Sequence, residues 1–260
     1  MATLRALLRT GILISVYIFF GVLGLGCAGL RIFSHKAYLR AAAYFTRQWG
    51  RCSCFIFNIH PRWLGEGSIP SGSLIVANHF GTPDIFVLSS GFEAFFVSKA
   101  EIASWPFVSW LTRLGGTIFV DRTRRYEVKS TIAQIQRRLE DGESVILFPE
   151  STATDGTGVI PFKSSHFEAA VRSKAPVVPV ALVYHDPARP SVAGWGNITF
   201  WTHITRLLKN PRLDVTVHVF APIAPAGDRR WLAGESQRKI GEKFRHLKSV
   251  PGPRRDDGVS

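Results

Sequence analysis

The chain has 260 residues, with 32 Lys and Arg against 19 Asp and Glu, a net charge of +13, and 46% hydrophobic but only 20% charged residues. That length holds one large α/β domain with an appendage and excludes two full-sized domains with separate chemistry. The apolar content excludes disorder; the positive charge calls for an anionic partner, a membrane surface ahead of nucleic acid; and three cysteines without paired spacing fit a reducing compartment rather than a disulfide scaffold.

In chain order, Gly11 to Leu30 is a run of uncharged positions bounded by Arg5, Arg9 and Arg31. A helix of about 20 residues spans about 30 Å, the thickness of a hydrocarbon core. The run is longer than a signal h-region and lacks an A-x-A-like ending, and Gly24 takes the aliphatic lipobox position before Cys27, so it reads as retained. Gly24, Gly26 and Gly29 spell G-x-G-x-x-G. No strand precedes them and no carboxylate follows at ribose distance, so they read as helix-packing positions.

The segment to Asn58 mixes Lys36, Arg40, Arg47 and Arg51 with Tyr38, Leu39, Ala42, Phe45, Trp49 and Phe55, an amphipathic interfacial helix with cations set for anionic head groups. Positive residues are denser after the apolar run than before it, which puts the rest of the chain on the cytoplasmic side if the first helix spans. A shallow two-helix anchor in one leaflet is the equal alternative. Residues 1–60 thus read as a membrane-anchoring helical motif, 61–250 as the main domain and 251–260 as a flexible tail. Cys52 and Cys54 on a helix point to different faces, and His60 brings no fourth ligand, so inert thiols are expected rather than a metal site.

Beyond Pro61, short apolar runs at Ser73–Ala77, Ala94–Ser98, Thr117–Val120, Ser144–Phe148 and Val177–Val183 predict strands, with Asn197–Trp201 and Asp214–Phe220 added near the sheet edge. The clearest helix covers Arg124–Asp141, where Val128, Ile132, Ile135 and Leu139 form a stripe that Gly142 stops. Its opposite face, Arg125, Lys129, Arg137 and Arg138, reads as solvated. Continuous apolar strands separated by helices predict an α/β fold with a mostly parallel central sheet flanked by helices, whose site lies at the loops leaving the strand ends.

One such loop is Asn78-His79-Phe80-Gly81-Thr82-Pro83-Asp84, with Thr82 as candidate N-cap and Pro83 as first helical residue. Asp84 can accept from one ring nitrogen of His79 and leave the other free as a base for a substrate hydroxyl. Three further blocks follow in order: Leu114–Arg122 with Gly115, Gly116 and Asp121; Pro149-Glu150-Ser151-Thr152 leading to Asp155-Gly156; and Ala175–Val180 with Pro179. His166, His185, His203 and His218 lack partners in the sequence and read as structural or solvated. No G-x-S-x-G supports a serine hydrolase and no P-loop supports nucleotide hydrolysis.

With these four ordered motifs, over about residues 70–185, the chain resembles the lysophosphatidic acid acyltransferase family. The resemblance implies an N-terminal two-helix membrane motif followed by an αβ acyltransferase domain, with His79 as general base, Asp84 orienting it, and Arg122, Glu150, Ser151 and Thr152 about the acceptor head group. It implies direct acyl transfer to 1-acyl-sn-glycerol-3-phosphate at a bacterial inner membrane. The partners are then membrane lipids, a lysolipid acceptor and an acyl-CoA or acyl carrier protein co-substrate, without a resident cofactor, a metal or nucleic acid. The third motif departs from the family's Glu-Gly-Thr-Arg, reading Glu150-Ser151-Thr152-Ala153. Loss of that arginine removes a fork of donors suited to phosphate. Lys163 is the candidate compensation, and lyso-ornithine lipid or lysophosphatidylcholine types are alternative acceptors. A non-catalytic cationic lipid-binding protein is the alternative of another class.

Overall fold

The structure, a computed structural model, describes residues 1–66, 68–100, 108–120, 125–186, 188, 191–196 and 198–249. Two long helices come first, α1 (Ala2–Phe33) and α2 (His35–Phe57). Between them the Ser34 hydroxyl accepts from the Ala37 N–H and caps α2. Asn58, left-handed at φ 53°, ends α2 and turns the chain into the sheet.

The strands are β1 (Ile59–Gly65), β2 (Leu74–Ala77), β3 (Ala94–Lys99), β4 (Ile118–Val120), β5 (Ser144–Leu147), β6 (Val177–Tyr184) and β7 (Leu213–Val219), in the spatial order β1-β7-β6-β2-β5-β3-β4. Every neighbouring pair is parallel except β6 and β7. The remaining helices are α3 (Thr82–Gly91), α4 (Val108–Leu114), α5 (Arg125–Glu140), α6 (Glu168–Ser173), α7 (Phe200–Lys209) and α8 (Arg229–Ser249).

The central strands β2 and β6 are apolar and buried at every position because they feed two cores. Ile75, Ala77 and Ile146 enter the layer shared with Phe57, Phe86, Leu207 and Phe244, whereas Leu74, Val76, Val145 and Leu147 enter the layer under Ile132, Ile135, Leu139 and Ile240. Alternation along each strand sends successive side chains to opposite faces. The α/β architecture with a mostly parallel sheet is therefore as expected.

Two elements differ from the sequence reading. Of the run Asn197–Trp201, Asn197 lies outside the described residues and the remainder is not a strand: Thr199 caps α7, which continues from Phe200 with His203, Leu207 and Leu208 buried at helical spacing. Its aromatic and β-branched start imitates strand composition, and the 3.6-residue period appears only further along. Ile59 and His60, read with the anchor, instead open β1, and Pro61 lies inside that strand. Proline is tolerated because β1 is an edge strand, paired on one side to β7. In α5, Arg138 does not lie on a solvated face. Its guanidinium packs 4.3 Å from the Phe95 ring centroid and donates to the Gly116 carbonyl.

Among the described residues, α1 is the helix long and apolar enough to cross a membrane. Leu7, Ile12, Ile18, Phe19 and Val22 on one face are exposed. The other face lies along the α/β domain. Arg5 donates to the Lys209 carbonyl and Arg9 to those of Leu208 and Asn210, at the C-terminal end of α7, where a helix presents unpaired carbonyls and negative potential. Farther along, Gly21 is in contact with the Trp110 ring and Gly24 with Leu114, both on α4, while Tyr17 meets Trp49 of α2 edge-on. Gly24 thus packs as its motif suggested, whereas Gly26 and Gly29 face open space.

Candidate active site

β2 delivers His79 to the end of the sheet, and α3 brings Asp84 back to meet it. Gly81, not Thr82, is the N-cap; Thr82 is the first helical residue and Pro83 the second. Glycine offers no capping side chain, so the Asp84 carboxylate takes that part. Its Oδ2 accepts from the N–H groups of Phe80 at 2.6 Å and Gly81 at 2.9 Å, and from His79 Nδ1 at 2.8 Å. Gly81 is required by close approach, since a Cβ there would lie 2.7 Å from the Ala193 carbonyl oxygen and 3.1 Å from His203 Nε2.

An ionised carboxylate only accepts, so Nδ1 carries the proton and Nε2 holds the lone pair. Asp84 is 0% exposed and the His79 side chain 19%. The imidazole stacks on Phe148, centroids 4.1 Å apart and planes at 17°, and Nε2 has no hydrogen-bond partner among the described residues. The arrangement is an oriented base with one basic nitrogen directed away from its carboxylate.

The main chain of His79 is held on both sides by the loop after β5. Glu150 Oε2 accepts from the His79 N–H at 2.7 Å, and the His79 carbonyl accepts from Thr154 N–H at 2.9 Å and Oγ1 at 3.0 Å. Glu150 Oε1 accepts from the Ile160 N–H at 3.0 Å, so both carboxylate oxygens are engaged by main chain. Burial pushes the Glu150 carboxyl up to about 7, against the two N–H bonds that favour its charge. Ser151 is buried and left-handed, φ 66°, where the family's third motif has glycine. Thr152 is exposed, and Lys163 is joined to the same loop through its main chain, its N–H donating to the Pro149 carbonyl at 2.9 Å. The structure therefore brings His79, Asp84 and Glu150 into contact, sets Ser151 and Thr152 in the adjoining turn, and leaves the Lys163 side chain exposed. Arg122 lies outside the described residues.

Three neighbours escaped the sequence reading. The Tyr184 hydroxyl, at the end of β6, donates to Asp84 Oδ1 at 2.8 Å. Thr154 holds the His79 carbonyl. His203 of α7, read as structural or solvated, is structural: it is fully buried against the site, its ring stacked on Trp195 at 5.2 Å, and burial pushes it down to about 4. Neither ring nitrogen has a partner among the described residues. The only available signal was for Tyr184, which closes an apolar strand at the same sheet end. Cys54 is buried with its thiol pushed up to about 12, an inert group, while His60 pairs with Asn58 Oδ1. Among the described residues no group of three or more His, Cys, Asp or Glu side chains is placed to hold a metal.

A profile of the acyltransferase family matches residues 62–183. A lyso-ornithine lipid O-acyltransferase of Rhizobium meliloti (strain 1021) is 32% identical over 227 residues, 81% of this chain and 77% of that protein. A 1-acyl-sn-glycerol-3-phosphate acyltransferase of Neisseria gonorrhoeae is 33% identical over 177 residues, 66% of this chain and 69% of that protein. The crystal structure of the 1-acyl-sn-glycerophosphate acyltransferase PlsC from Thermotoga maritima shares the fold, with a TM-score of 0.71 at 22% identity over 97% of this chain and 100% of that one. With the His79–Asp84 pair at the sheet end and these relatives matched over more than two thirds of their own length, the chain belongs to the acyltransferase family and is a membrane-associated O-acyltransferase.

Proposed function

We propose that this enzyme transfers a fatty acyl group from a thioester, acyl-CoA or acyl carrier protein, to the free hydroxyl of a lysolipid. The observation that carries the reading is the 2.8 Å contact of His79 Nδ1 with buried Asp84, which leaves Nε2 as base. Nε2 takes the hydroxyl proton as the oxygen attacks the thioester carbonyl. The imidazolium formed is stabilised by Asp84 and returns the proton to the departing thiolate, so the C–S bond breaks as the ester forms. Developing charge on the carbonyl oxygen calls for main-chain N–H donors near the turn.

The acceptor expected from the family is 1-acyl-sn-glycerol-3-phosphate, with Arg122, Thr152 and Lys163 as head-group contacts and Ser151 shaping their turn. Glu150 belongs to the same group, but two main-chain bonds on its carboxylate support a bracing part for it. A second reading, a lyso-ornithine lipid, is favoured by Ala153 at the motif's arginine position and by the Rhizobium relative's printed activity. Purified enzyme in detergent, given labelled acyl thioester and both acceptors, separates them. Product mainly from the phosphate-bearing acceptor supports the first reading, product from the phosphate-free acceptor the second, and product from neither leaves a lipid-binding protein without turnover.

We assign the helices before about residue 60 to membrane docking, the chain to 250 to catalysis, and the enzyme to the cytoplasmic face of a bacterial inner membrane. Contacts of α1 with both α7 and α4 support a helix lying in one leaflet with its outer face in lipid, rather than crossing.

A further inference from the structure

Asp84 presents its two oxygens to different elements. Oδ2 gathers His79 Nδ1 and the N–H groups of Phe80 and Gly81, whereas Oδ1 has one hydrogen bond from a described residue, that of the Tyr184 hydroxyl at 2.8 Å. Strand register brings this about: β6 lies beside β2 with Val180 opposite Ala77, so Tyr184 follows beyond the end of β2, next to the catalytic turn. The ring is fixed by Phe80, which meets it edge-on with centroids 4.9 Å apart, and its hydroxyl, on a residue 1% exposed, is out of reach of any substrate.

We propose that Tyr184 is a positioning residue for acyl transfer, one that sets how much charge Asp84 presents to His79 by drawing part of it away through Oδ1. This rests on the reading of His79 as the general base. A hydrogen bond to an ionised carboxylate in a buried site is stronger than one between neutral groups. Burial and the Asp84 charge keep the phenol well above its ordinary range, so it remains a donor wherever the enzyme works. Without that donor the carboxylate charge concentrates toward Oδ2, the imidazolium gains stability, and His79 becomes a stronger base that is protonated at higher pH. The other titratable or charged groups about this pair are Glu150 on the loop after β5, His203 and Arg206 on α7, Cys54 on α2, and Lys248 on α8, which donates to the Tyr184 carbonyl at 3.3 Å. Each is left in place by the substitution.

The test is Tyr184→Phe in the full-length enzyme in detergent, with kcat, both KM values and the pH profile of kcat/KM. The expected result is an acid limb moved upward by about half to one pH unit, with KM for donor and acceptor within about twofold and kcat on the alkaline plateau within about threefold of wild type, because the base is stronger but still in place. A second variant carrying 3,5-difluorotyrosine at position 184 keeps the shape and strengthens the donor, so its acid limb should move downward; it decides the matter if Tyr184→Phe does not fold. An acid limb unmoved in both variants, whatever the kcat, or one that moves the same way in both, overturns the proposal while leaving the acyl-transfer reading intact. A wild type without turnover would instead remove that reading, and this one with it.

Discussion

Replacing Glu150 by Gln keeps the shape of the side chain and removes one acceptor, so an amide NH2 faces a main-chain N–H of His79 or Ile160. If the carboxylate braces the base, Glu150→Gln should lose at least about tenfold in kcat while the acceptor KM stays within about twofold. Steady-state kinetics over an acceptor series decides. A raised acceptor KM with kcat retained would return Glu150 to head-group binding. The pair His79 and Asp84 was legible in the sequence because its partners are five positions apart across a strand end and a helix start. Glu150 reaches His79 across 71 positions and Tyr184 reaches Asp84 across 100, and one-dimensional text carries no record of such contacts.

At the scale of elements, α1 is the piece whose reading changes the enzyme's placement. Its two arginines hold the end of α7, and Gly21 sits where a Cβ would be 2.4 Å from the Trp110 ring of α4. Gly21→Leu should therefore lift α1 from α4 at a cost of about 1–3 kcal/mol, seen as a lower thermal midpoint and faster proteolysis within α1. A helix docked along its length stays on one side of the bilayer. A protease site added ahead of Met1 should be cut only in inverted membrane vesicles; cutting only from the periplasmic side would mean that α1 crosses. The central strands were readable because two-sided burial makes them largely apolar, whereas β1 was hidden by Pro61 and α7 by the strand-like composition of its first turn.

For the molecule as a whole, two buried groups tie stability to pH with opposite sign. His203 is pushed down to about 4, so the unfolded chain takes a proton near 6.5 while the folded one resists until about 4. Its contribution is full above pH 6.5 and is lost as pH falls from there to 4, on the order of 3 kcal/mol. Glu150, pushed up to about 7, contributes fully below its ordinary value of 4.5, and that contribution is lost as pH rises through 7. Between pH 7 and pH 5 the two changes nearly offset each other in wild type, so in His203→Phe the thermal midpoint at pH 5 should rise above that at pH 7 by more than in wild type; an unchanged difference would mean that His203 is not what titrates. The net charge of +13 is a property of the same scale, matching a membrane surface and anionic thioester donors.

The central claim is that His79 is the base of an acyl transfer to a lysolipid. Full-length protein in detergent, supplied with labelled acyl thioester and lysolipid, should form the diacylated product with wild type and lose about 100-fold or more of that rate in His79→Ala, while His79→Ala keeps its thermal midpoint and membrane association. A folded His79→Ala enzyme retaining more than about a tenth of the wild-type rate would contradict the claim.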